Sequence, residues 1–228
     1  MNTIIDGLSN LTIYSETKID NDYINNRIKN EICYDTINIL KDDCLINVYK
    51  ECKSVKLAIN KLKVILAKYN IENNIQDEII EEYIIDIIPP GTKASIRGNK
   101  FNNIIKTHII NLNLNSERFE ICFEKQCDLC ITTEIPDWYI LEKLTCRIII
   151  GMYEVDLWSG GQQLNRGSKY LIDNKINTCN SKLLCVICNE KKFKNNKSKS
   201  YELFKTGYSN DTLCYIKNLG SIIDKYFN

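Results

Sequence analysis

The sequence predicts an α/β fold, a mixed central β-sheet flanked by helices, with a mainly helical N-terminal part. Three observations predict it. Apolar residues recur at helical spacing from residue 21 to about 88. Four runs rich in β-branched and aromatic residues follow, at 118–124, 138–142, 148–155 and 181–190. Helical patterns stand before, between and after these runs, the arrangement of a sheet covered on both faces.

Residues 1–19 carry no clear period and read as an irregular arm or a short strand. The clearest helix is KSVKLAINKLKVILAKY, where Val55, Ala58, Ile59, Leu62, Ile65, Leu66 and Tyr69 form one stripe. Lys53, Lys56, Lys61, Lys63 and Lys68 lie mostly opposite, a face that suits either solvent or phosphates. A second helix over 77–88 stops at Pro89-Pro90-Gly91. That tripeptide divides the chain into a helical region, 1–90, and a core, 91–228. A basic loop is expected next, then a helix along Phe101, Ile104, Ile105, His108, Ile109 and Leu112. His108 falls on or beside that stripe and reads as a packed helix residue. After the strand at 118–124 comes a hairpin turning near 143–146, then a loop through Ser159-Gly160-Gly161 into a further helix. The strand at 181–190, a basic loop, a short helix at 200–208, a strand at 213–216 and a closing helix at 221–227 complete the order.

Composition narrows the function classes. With 228 residues and 44% hydrophobic residues the chain can build one sizeable core plus a helical subdomain. A net charge of +1 gives no global attraction to nucleic acid, so any basic surface must be local. No apolar run approaches a membrane span, and the first residues lack the pattern of a signal peptide. A soluble cytoplasmic protein is the expectation. Eleven cysteines without a secretory signal point to reduced thiols or metal ligands rather than disulfides.

The chemistry concentrates in the hairpin. Asp137 opens its first strand, and Glu154 and Asp156 close its second. Side chains alternate along a strand, so Glu154 and Asp156 share a face while Val155 points to the other layer. Three carboxylates that close repel unless a cation lies between them. A hard ion such as Mg²⁺ accepts such oxygens, with water and phosphate completing its shell.

Pro136-Asp137, a hairpin, and then Glu154-Val155-Asp156 resemble the PD-(D/E)XK nuclease core, in particular type II restriction endonucleases. The resemblance implies an αβββαβ core and Mg²⁺-dependent hydrolysis of phosphodiesters in double-stranded DNA. Asp137 and Glu154 would be the metal ligands. The family pattern has Lys two residues after the Glu, and this chain has Asp156 there. The group that polarises the attacking water is therefore open, with Asp156 the third candidate catalytic residue. The resemblance also implies a homodimer on palindromic DNA and a cognate DNA methyltransferase acting on the same site.

Two polar clusters are candidates for the DNA contact. Lys93, Arg97, Asn99 and Lys100 precede a helix, where side chains and free backbone N–H groups suit phosphates. An ordinary solvated loop would look the same. Gln162, Gln163, Asn165 and Arg166 follow the acidic strand and are residue types that pair with base edges. A rival site comes from Cys127-x-x-Cys130 and Cys185-x-x-Cys188, whose four thiolates could hold a structural Zn²⁺. Their wide separation and apolar settings equally suit small packed hydrophobes. The alternative function is accordingly a non-enzymatic, zinc-stabilised DNA-binding or interaction module.

Overall fold

A computed structural model describes residues 21–128, 135–155, 171, 180–188, 193–194 and 198–228. Seven helices precede the sheet: α1 (Asn21–Glu31), α2 (Tyr34–Ile39), α3 (Asp42–Glu51), α4 (Lys53–Lys68), α5 (Asn73–Glu82), α6 (Ile84–Ile87) and α7 (Pro90–Asn111). Five strands follow: β1 (Phe119–Phe123), β2 (Trp138–Glu142), β3 (Ile148–Glu154), β4 (Ser181–Ile187) and β5 (Leu213–Tyr215). Helix α8 (Lys199–Ser209) precedes β5, and α9 (Ile216–Phe227) follows it.

The strands form one mixed sheet in the order β1-β2-β3-β4-β5. The first three are antiparallel neighbours, with Phe119 opposite Glu142 and Trp138 opposite Gly151. Strand β4 runs parallel to β3, placing Met152 beside Cys185 and Glu154 beside Ile187, and β5 runs parallel to β4. A parallel neighbour needs a crossover over one face of the sheet. Of the connection 156–179 only Leu171 is described; it is helical and buried. The sequences IIIGMYE and LLCVI are apolar at successive positions because these central strands are covered on both sides.

Alternation sorts the sheet side chains into two layers. One contains Tyr139, Ile150, Met152, Leu183, Cys185 and Ile187 and is covered by Ile24 and Ile28 of α1 and by Tyr201 and Phe204 of α8. The opposite layer contains Trp138, Ile140, Ile149, Leu184 and Val186, covered by Phe101, Ile105 and Ile109 of α7 and by Leu219 and Ile223 of α9. Helices α3–α6 gather a third, smaller core around Leu45, Tyr49, Val55, Ile80 and Ile84, which meets α7 at Ile96. A Cβ at Gly151 would lie 1.8 Å from Cε2 of Trp138, so the indole occupies the place of the missing side chain.

Two boundaries differ from the sequence reading. The stretch 93–100, expected as a loop, belongs to α7, which begins at Pro90. Proline fits the first helical position, where its missing N–H has no partner to lose and its fixed φ is already helical. The tripeptide at 89–91 therefore starts a helix. At the other end, α9 begins at Ile216, so the chain passes from β5 into its last helix without a loop.

Candidate active site

Asp137 immediately precedes β2. Continuing the register from Trp138 and Gly151 puts it opposite Met152, with Glu154 two residues further along β3. Such diagonal neighbours on antiparallel strands have Cα atoms about 7–8 Å apart. Asp137 shares the parity of Tyr139, and Glu154 that of Ile150 and Met152, so both project toward the layer built on α1 and α8. Val155 packs in the opposite layer.

Two backbone N–H groups hold Asp137. Its Oδ2 accepts the backbone N–H of Tyr153 at 3.0 Å, which turns the carboxylate toward the end of β3. Its carbonyl accepts the N–H of Glu124 at 3.0 Å. Glu124 has a left-handed φ of 49°, and its carboxylate accepts from Asn102 of α7 at 2.7 Å and pairs with Lys106 at 3.1 Å. A non-glycine residue in that region carries strain of about 1–3 kcal/mol, held here by α7 and by the β2 entry. Tyr153, Glu124 and Asn102 were not legible as site residues. Their roles run through backbone groups and a tertiary contact, which leave no spacing signature.

Cys185 reports on the same place from β4. It pairs with Met152, the residue opposite Asp137. Burial pushes its thiol well above the usual value, and the charges of Glu154, then Cys214 and Asp137, push it further. Both carboxylates thus act on one buried sulfur. The carboxylate donors are hard oxygens. Mg²⁺ is commonly held by one or two carboxylates with water and substrate oxygens, so Asp137 and Glu154 fit it. Among the described residues no group of three or more His, Cys, Asp and Glu side chains is placed to hold a metal. Asp156, the third expected acid, lies outside the described residues, as do Gln162, Gln163, Asn165 and Arg166.

The basic residues of α7 lie on the other side of the sheet from the carboxylates, because α7 covers the Trp138 layer. The first turns of the helix do pass the carboxyl end of β3. Gly98 faces the Tyr153 hydroxyl at 3.7 Å from an added Cβ, and the Phe101 and Tyr153 rings meet edge to face at 6.0 Å. One turn earlier, Lys93 is paired with Asp42 at 3.6 Å. Arg97 keeps its Nε buried without a hydrogen-bond partner, close enough to Cys188 to oppose the rise in its thiol pKa. Asn99 and Lys100 are exposed.

Of the four cysteines in the zinc reading, Cys127 and Cys185 are buried in the layer of α1 and α8, and Cys188 is buried in the layer of α7. Cys130 lies outside the described residues. Among the described residues no helix is long and apolar enough to cross a membrane. No protein-family model matches the chain, nor does any curated protein or solved structure.

Proposed function

We propose that this protein is a divalent-metal-dependent endonuclease that cleaves double-stranded DNA, with Asp137 and Glu154 as the metal-holding pair. The observation that carries the reading is the placement of these two acids on one face of the sheet, at the entry of β2 and the exit of β3. The element order supports it: a long helix, three antiparallel strands, a crossover, and a strand parallel to the third. This agrees with the αβββαβ order that the resemblance at Pro136-Asp137 and Glu154-Val155-Asp156 implies.

On this reading a bound Mg²⁺ supplies Lewis-acid polarisation of the scissile phosphate and a more acidic water. The chain's own contribution is positional. The Tyr153 N–H holds one oxygen of Asp137. The neighbouring thiol stays neutral and adds no competing charge. Arg97, at the passage of α7 past the end of β3, is the best-placed cation of its cluster for a phosphate flanking the cut. Asp156 and the polar run 162–166 follow directly in sequence and are assigned to water and base contacts. A homodimer would match a palindromic site, and a DNA methyltransferase reading that site would protect host DNA.

Plasmid DNA incubated with Mg²⁺ tests the proposal. Discrete fragments are expected, lost on adding EDTA. Asp137→Asn and Glu154→Gln should each slow cleavage by about a hundredfold or more, the scale of removing one preorganised electrostatic group. Unchanged cutting by either variant removes the site; DNA binding without cutting by the native protein removes the enzyme.

A further inference from the structure

A groove of about 510 Å³ runs along the outer face of α7, walled by the start of α2 and the start of α9. It is separate from the carboxylate pair, which projects into the layer on the other side of the sheet. Its floor follows positions 100, 103, 104, 107, 108 and 111, one continuous helical face of about 16 Å. We propose that this groove binds a mononucleotide, with Lys100 and Lys217 taking the phosphate, Ile104 and Ile216 seating the base, and Asn103 reading its edge.

The lining carries the argument. Lys100 and Lys217 contribute two positive charges, and among the described residues no Asp or Glu side chain lines the groove to cancel them. Lys100 has no hydrogen bond or ion pair with any described residue, and Lys217 donates only to the Asn30 carbonyl, at 3.1 Å. Ile216 is buried and Ile104 half-buried, which gives a flat apolar surface beside the charges. Amide side chains such as Asn103 pair with the donor and acceptor edge of a base. His108 lines the same groove, and its Nε2 is buried without a hydrogen-bond partner. Such an orphaned nitrogen costs free energy until a partner or water reaches it. The volume lies within the roughly 300–1,000 Å³ of small-molecule sites. The groove is bounded by residues of three helices.

Because His108 is the only histidine in the chain, its imidazole is a single-signal probe. Protein labelled at histidine is titrated with AMP, adenosine, inorganic phosphate and a short DNA duplex while the imidazole resonances are followed. The expected result is a saturable shift with AMP, and binding of adenosine and of inorganic phosphate at least about tenfold weaker, about 1.4 kcal/mol each. Lys217→Ala, a change at an exposed position, should weaken AMP about tenfold with the thermal midpoint unchanged. Ile104→Trp should abolish the shift by filling the groove. The proposal is overturned by the absence of a saturable shift with AMP, by inorganic phosphate binding as tightly as AMP, by the duplex outcompeting it, or by unaltered binding in Lys217→Ala. None of these readouts involves cleavage, so failure here and failure of the endonuclease reading are separate results.

Discussion

At Gly151 one missing methyl group decides how the sheet packs. Trp138 is fully buried, and its indole crosses directly over the glycine on the neighbouring strand. Gly151→Ala puts a Cβ 1.8 Å from a ring carbon, so the indole or the strand must move. The expected loss is about 3 kcal/mol, the upper part of the range for overpacked cores, read as a lower urea midpoint. His108 makes a different prediction. Burial lowers its pKa from 6.5, so the unfolded chain takes up the proton first as pH falls. Stability should therefore be full above pH 6.5 and decline as pH drops through that value toward the lowered native one. His108→Gln should flatten that part of the curve of thermal midpoint against pH. The sequence placed His108 on the apolar stripe of its helix and read it as packed there. Its orphaned nitrogen is a property of neighbours from α2 and α9, which no local pattern contains.

Helix α9 shows how an element is held at one end by side chains that stand just before two strands. The Phe227 carbonyl accepts from Arg118 at 2.7 Å and from Arg147 at 3.4 Å. Arg118 also grips Glu142, with Nε 2.6 Å from Oε1, and the guanidinium of Arg147 lies over the Tyr226 ring. The Thr145 hydroxyl first, and Arg118 next, hold the buried Glu142 carboxyl below its usual range. Arg118→Ala should cost about 2 kcal/mol, the scale of losing hydrogen bonds to a charged group. Amide exchange should quicken in the last turn of α9 before it does in β3. Helix α7 teaches the opposite lesson about legibility. Its apolar stripe from Phe101 onward was plain in the sequence, but its first three turns are polar and contain Gly91 and Gly98, so they read as a loop. Ile96, meeting the core of α3–α6, and Gly98, meeting Tyr153, tie these turns to the rest of the fold. Both contacts are tertiary.

Across the whole molecule, strand existence and hairpin register were legible because alternation and the turn at 143–146 fix them locally. The same alternation brought Asp137 and Glu154 to one face before any coordinates. It also separates Cys185 from Cys188, although the CxxC spacing drew attention first. What no strand pattern contains is which helix covers which layer, so the distance between the α7 cations and the carboxylates had to come from the tertiary structure. The fold also limits how the acid pair can be tested. Asn at position 137 still offers an oxygen to the Tyr153 N–H, so Asp137→Asn should keep its stability, followed by the thermal midpoint, within about 1 kcal/mol of native while losing cleavage. A large drop in that midpoint would make Asp137 a structural anchor instead. One last contact bears on how the chain comes to be folded at all. Asn25 of α1 pairs through both ends of its amide with the backbone of Phe193, 168 residues later, at 3.0 and 2.9 Å. A ribosome releases α1 long before this seat. Until α8 and Phe193 emerge, Ile24, Ile28 and Ile32 are only partly covered, and that bare flank is where a chaperone would take hold of the nascent protein.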